Sequence, residues 1–340
     1  MFESRAPLLK TDPSGLFCEA GQFHIDPWLP VDRALITHGH SDHARRGSSA
    51  YLCTAACAPI LRARLGEDIV LQTLPYGERL NLNGVTVSFH PAGHVLGSAQ
   101  IRVEFQGEVW VVSGDYKTVA DPTATAFEPV RCHTFITEST FGLPIYRWPS
   151  QESVMQSIHD WWRANQAHGR ASVIFSYPLG KSQRILAALD PVLGPIFCHG
   201  AVEKMNGIYR EAGISLPQTL HAVEQPRGYD WSKALIIAPP SAQGSTWMKK
   251  FGPHSDGMAS GWMRIRGTRR RRSMDRGFVL SDHADWPGLL HAIRETGAQT
   301  VLPTHGYRAP LVRWLTERSL EARPLETRFE GEAGGEAESE

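Results

Sequence analysis

The sequence predicts an α/β chain built in two parts, and three observations lead there. Its 340 residues suffice for two domains, or for one large domain carrying an insertion. The first third reads as short strands broken by turns. After Pro149 the pattern becomes an alternation of helix and strand, the rhythm of βαβ units and of a second, parallel sheet.

In chain order, the first part offers strands over 34–37, 69–74, 85–90, 99–105 and 109–113, the last two joined through Gly107 as a hairpin. A helix over 152–168 follows, with apolar residues at helical spacing and Ser150 as its cap. Strands over 171–177, 195–199 and 234–238 then alternate with helices over 181–189 and 202–211. A strand resumes at Gly277, followed by a helix over 286–296, a strand over 300–303 and a last helix to about Leu320. The closing EGEAGGEAESE is acidic, Gly-rich and without aromatics, the composition of a disordered tail. The expected division is 1–145, an insertion 146–276, a return 277–325 and a tail 326–340.

Composition narrows the function. Hydrophobic residues make up 41% and charged residues 21%, as in a soluble globular protein. Lys+Arg 35 balance Asp+Glu 35, so no global field attracts a polyanion and any nucleic-acid contact must be local. Cys18, Cys53, Cys57, Cys132 and Cys198 are scattered and odd in number, which favours buried thiols over zinc ligands. No window reaches membrane-spanning length, so no membrane partner is expected and a reducing cytoplasm is the default.

The chemistry concentrates after the first apolar run, Ala34-Leu35-Ile36, where Thr37-His38-Gly39-His40-Ser41-Asp42-His43 crowds imidazoles and a carboxylate into one loop. Protonated, these histidines would repel; a cation holds them neutral and draws them together. His38 and His40 share a face, while Asp42 and His43 begin the next turn and can serve a second point. The competing reading is a hydrogen-bonded capping cluster. Further candidates recur as strand, ligand, glycine: His94 in PAGHVLGSA, Asp115 in SGDYK and His305 in VLPTHG. A carboxylate at Asp115 could bridge two cations. Asp26, in HIDPW, has the same setting and reads as a carboxylate that orients a ligating histidine.

HGHSDH with His94, Asp115 and the preceding Asp26 resembles the motif series of the metallo-β-lactamase fold. Glu138 in ITEST, His283 in LSDHAD and His305 in PTHG resemble the three motifs of its β-CASP subgroup, nucleases acting on DNA or RNA. The resemblance runs from about Asp26 to His305, and within the subgroup the chain looks most like the bacterial DNA-ligase-associated exonucleases of DNA damage response. It implies an αββα sandwich with an inserted β-CASP α/β domain. It also implies two Zn²⁺ ions, with Mn²⁺ as the alternative: one held by His38, His40, His94 and Asp115, the other by Asp42, His43, His305 and the shared Asp115. Asp42 would orient the attacking hydroxide, His283 would protonate the leaving sugar oxygen, and Glu138 would hold His283 charged and aimed. RNA-processing members usually keep a histidine in the last motif, as His305 does here.

The insertion should form the second wall of a cleft over the metals. In SYPLGKSQRIL, Gly180, Lys181 and Ser182 open a helix whose amides and lysine suit a phosphate, with Ser281 beside His283 as a further donor; an ordinary glycine loop is the competing reading. The run Arg269-Arg270-Arg271-Arg272 could grip a strand's phosphates or be a solvated loop. Trp161 and Trp162 suit helix packing, and Trp247 and Trp262 could stack on bases. The expected function is therefore a zinc-dependent 5′-to-3′ exonuclease on single-stranded or 5′-ended DNA in repair, working alongside a DNA ligase and helicase. The alternatives are an RNA-processing nuclease, a small-molecule metallo-hydrolase and a non-catalytic scaffold.

Overall fold

The computed structural model describes residues 7–265 and 274–328. The chain divides into two units: the residues up to Ile145 with those from His283 onward, and Tyr146–Asp282.

Burial sorts the strands of the first unit into two sheets. Among the described residues, the first sheet has six strands in chain order, Lys10–Asp12, Gly15–Cys18, Phe23–Ile25, Arg33–Leu35, Ala50–Cys53 and Leu71–Thr73. The second has seven, in the order Glu321–Ala322, Thr300–Gly306, Thr134–Ser139, Glu108–Val112, Ala99–Phe105, Val85–Pro91 and Arg79–Leu82. Phe23, Ile25 and Leu35 from the first sheet pack on Val87, Ile101, Val103 and Val112 from the second, forming the core between them. Outside the first sheet, Ile36, Tyr51 and Cys53 meet Leu61 and Leu65 of the helix Ala58–Leu65. Outside the second, Val109, Val111, Phe135 and Val301 meet Leu289, Ile293, Leu311 and Leu315 of the helices Trp286–Thr296 and Arg308–Thr316. The layers are therefore helix, sheet, sheet, helix, the expected αββα sandwich.

The second unit is built on one parallel sheet, in the order Leu220–His221, Ile196–Cys198, Leu235–Ala238, Ala171–Phe175, His254–Ala259 and Arg276–Phe278. Its inner strands Ala171–Phe175 and Leu235–Ala238 are buried on both faces, as parallel strands are. Val154, Ile158 and Trp162 of the helix Gln151–Ala167 cover one face together with Ile185 and Val202, while Trp231, Met248 and Phe251 cover the other. Ser150 caps Gln151–Ala167, its side chain accepting from Ser153 N–H at 3.3 Å.

Two boundaries differ from the sequence expectation. The strand Arg276–Phe278, expected to return to the first domain, instead extends the second sheet, where Phe278 meets Trp161 with ring centres 5.5 Å apart. Burying that ring decides the strand's place over its nearness in sequence to His283. At the other end, Glu326 of the expected tail pairs with Arg308 at 2.7 Å; the expected tail from residue 329 on lies outside the described residues.

Candidate metal centre

Four segments of the first unit meet here, each leaving a strand. The chain leaves Arg33–Leu35 and enters the loop bearing His38, His40, Asp42 and His43. His94 follows Val85–Pro91, Asp115 follows Glu108–Val112, and His305 lies near the end of Thr300–Gly306. Gly114 sits at φ 56°, and a Cβ there would fall 2.7 Å from the Thr37 side chain. Only glycine lets the Asp115 turn approach the histidine loop so closely. Arg64 secures the loop from outside, its Nη1 donating to Gly39 O.

The ligand-type atoms form two groups. His40 Nδ1 lies 3.1 Å from both His38 Nε2 and His94 Nε2. Asp115 Oδ2 stands 3.5 Å from His38 Nε2 and 3.8 Å from His94 Nε2. Ligands 2.0–2.1 Å from a tetrahedral cation stand about 3.3 Å apart, the spacing seen here. On the other side, Asp115 Oδ1 lies 3.1 Å from His305 Nε2 and 3.5 Å from His43 Nε2, and Asp42 Oδ2 lies 3.6 Å from His43 Nε2. Asp115 thus presents one oxygen to each group. Among the described residues, Asp42 Oδ2 is buried without a hydrogen-bond partner. A carboxylate oxygen in that position is costly unless a cation meets it, so the donor set fits a metal.

The opposite ring nitrogens are already held. Asp26 Oδ2 lies 2.7 Å from His43 Nδ1, and its carboxylate accepts from the Thr37 N–H at 2.8 Å and the Thr37 hydroxyl at 2.5 Å. Thr37 Oγ1 in turn lies 3.1 Å from His38 Nδ1, and Thr304 Oγ1 lies 3.0 Å from His305 Nδ1. Such partners fix the tautomer that leaves Nε2 to a ligand. Asp26 reaches its place with φ 44°, a backbone conformation uncommon outside glycine.

The charges follow from burial. Burial holds His38 well below the usual histidine range, helped by its neighbours His43 and His94. Burial acts the same way on His43, but Asp115, Asp42 and Asp26 overcome it and raise its pKa to about 10. Asp115 stays ionised against burial because His43, His283 and His305 surround it. Burial raises Asp26, against the pull of His43 and Thr37.

Glu138 and His283 form a separate pair at the rim of these groups. Glu138 is the last but one residue of a strand whose six residues are all buried, and its Oε2 lies 2.9 Å from His283 Nδ1. The Tyr116 amide donates to Glu138 Oε1 at 2.7 Å, while the Ala284 amide donates to Tyr116 O at 2.7 Å, so the backbone beside Asp115 fastens both residues. Asp115, Glu138 and His283 also place ligand-type atoms within 4.8 Å of one another. However, His283 Nδ1, 4.0 Å from Asp115 Oδ2, is the same atom that faces Glu138.

The residues expected to hold a phosphate belong to the second unit and are not exposed. The Gly180 amide donates to Gln183 Oε1 at 2.7 Å and the Ser182 amide to Tyr177 O at 3.1 Å. Ser182 Oγ lies 2.7 Å from Ser176 Oγ. Lys181 is 2% exposed, its Nζ 3.9 Å from Asp282 Oδ2. Ser281 is buried as well, its carbonyl accepting from Arg184 Nη1. The Gly180 and Ser182 amides are thus engaged within the unit. Arg269, Arg270, Arg271 and Arg272 lie outside the described residues. Trp247 and Trp262 pack into aromatic neighbours, Trp247 on His199 and Phe251 and Trp262 on Tyr146.

Sequence reasoning missed Thr37, Thr304 and the Tyr116 amide. The threonines carried a signal, since Thr-His-Gly occurs at both 37–39 and 304–306.

No protein-family profile matches the chain. A curated protein of Opitutus terrae, "Probable DNA ligase", is 32% identical over 312 residues, which is 91% of this chain and 30% of that protein. "Endoribonuclease YSH1" of Saccharomyces cerevisiae is 29% identical over 133 residues, 36% of this chain and 17% of its own length. "DNA cross-link repair 1A protein" of Mus musculus is 29% identical over 168 residues, 47% of this chain and 16% of its own. The chain thus spans less than a third of each. Among solved structures, a protein of unknown function from Enterococcus faecalis V583 matches with TM-score 0.55 at 13% identity, covering 88% of this chain and 80% of that one, a likeness of fold. The similarity to these relatives, the αββα layers and the motif residues gathered around Asp115 agree: the chain belongs to the β-CASP family of the metallo-β-lactamase fold.

Proposed function

We propose that the chain is a metal-dependent phosphodiesterase that degrades nucleic acid, with two zinc ions at the Asp115 centre and single-stranded, 5′-ended DNA as substrate. The observation that carries it is the Asp115 carboxylate, with Oδ2 facing His38 and His94 and Oδ1 facing His43 and His305. A bound pair of such cations supplies Lewis acidity to phosphate oxygens and lowers the pKa of water. Asp42 Oδ2, buried beside His43, orients the attacking water. His283 Nε2 gives a proton to the departing sugar oxygen, and Glu138 Oε2 keeps the Nδ1 proton in place meanwhile. Every ligand position of the motif series is filled, which argues against a scaffold role.

Deoxyribose is favoured because a relative that matches 91% of this chain is named "Probable DNA ligase". A role in repair, and work beside a ligase and helicase in a cytoplasm, belong to the same reading. RNA is the second reading, favoured by the retained His305 and by the relative named an endoribonuclease. The deciding assay compares 5′-phosphorylated, 5′-hydroxyl and circular single strands, each as DNA and as RNA. Linear 5′-phosphorylated DNA should be degraded fastest. Circles cut at the linear rate would remove the exonuclease assignment, and a preference for RNA would install the second reading.

A further inference from the structure

After the helix Arg308–Thr316 the chain returns as the strand Glu321–Ala322, parallel to Thr300–Gly306, and continues beside it. The Leu325 amide donates to Pro303 O at 2.9 Å, and Arg308 Nη1 donates to Leu325 O at 3.2 Å. The Arg328 guanidinium lies 5.8 Å from the Trp28 ring centre. These contacts carry Thr327 to a cavity of about 10 Å³ whose wall includes Asp26, His43, Thr304 and His305. Among the described residues, Thr327 Oγ1 is buried with no hydrogen-bond partner. A cavity of that size, with hydroxyl and carboxylate groups in its wall, suits one water molecule.

We propose that Thr327 is a positioning residue of the metal centre: through a single water held in this cavity, its hydroxyl completes the hydrogen-bond support of Asp26 and Thr304. Those two side chains hold Nδ1 of His43 and Nδ1 of His305, the histidines on the Oδ1 side of Asp115. The effect is therefore selective. Loss of the hydroxyl weakens one of the two metal positions and spares the one formed by His38, His40 and His94.

The inference rests on the two-metal reading, so the experiment measures metal binding in the wild type first. The full chain, T327V and T327S are titrated with zinc against a chromophoric chelator, and the metal-free forms are melted. Wild type is expected to bind two ions. T327V should bind one of them about tenfold more weakly, the scale for a lost outer partner, and T327S should restore it. Both affinities unchanged in T327V, with or without a lower melting temperature, would overturn the inference alone. So would T327S behaving as T327V does. No zinc bound by wild type would overturn the metal reading along with it.

Discussion

Asp115 does at the residue scale what no other side chain in the centre does, since its two oxygens serve different histidines. Around it, roles divide by which nitrogen is already engaged. His38, His43 and His305 each have Nδ1 beside an oxygen partner and Nε2 toward Asp115, whereas His283 has Nδ1 on Glu138. His283→Ala should therefore keep the metals and cut turnover by about a hundredfold or more, the scale of a lost general acid. Metal analysis beside single-turnover rates checks this, and loss of metal from the variant would make His283 a ligand. The residues gathered around Asp115 were legible because histidines at such density have few uses other than holding a cation. Their supports were less so: the Thr37 and Thr304 hydroxyls act through one hydrogen bond each, and threonine is common at strand ends. The setting of Lys181 was hidden for a related reason. Its partner Asp282 is remote in sequence, and nothing local shows that the pair is buried.

The elements place these residues by one device used repeatedly, a buried strand that stops and turns beside a glycine. Gly306 is an instance, at φ 80°, where a Cβ would lie 2.3 Å from Ser139 O. Gly306→Ala is expected to cost about 1–2 kcal/mol from the backbone conformation alone, before the clash with Ser139 is counted. It should lower metal affinity as His305 shifts; a thermal melt with zinc titration reads both, and an unchanged melt would remove the constraint. Long, periodic elements were legible, as with Ala99–Phe105 and Trp286–Thr296. The strands Lys10–Asp12, Gly15–Cys18 and Phe23–Ile25 were not, because three or four residues carry too little alternation. Thr134–Ser139 was missed as a strand because its threonines, glutamate and serine read as polar, although all six residues are buried.

The chain comprises an αββα unit that carries the candidate metal centre and a second α/β unit with a parallel sheet of its own. Among the described residues, no helix is long and apolar enough to cross a membrane, and the formal charge of the chain is zero. Attraction to a polyanion must then come from local patches rather than from a global field. The central claim is that Asp115 bridges two ions, and elemental analysis of the purified wild type and of Asp115→Asn tests it most directly. The wild type should carry about two zinc ions per chain, since two ligand groups share the one carboxylate. Asp115→Asn should fold with at most one ion and lose phosphodiesterase activity. A wild type without transition metal after zinc addition, or an Asp115→Asn protein that retains two, would contradict the account.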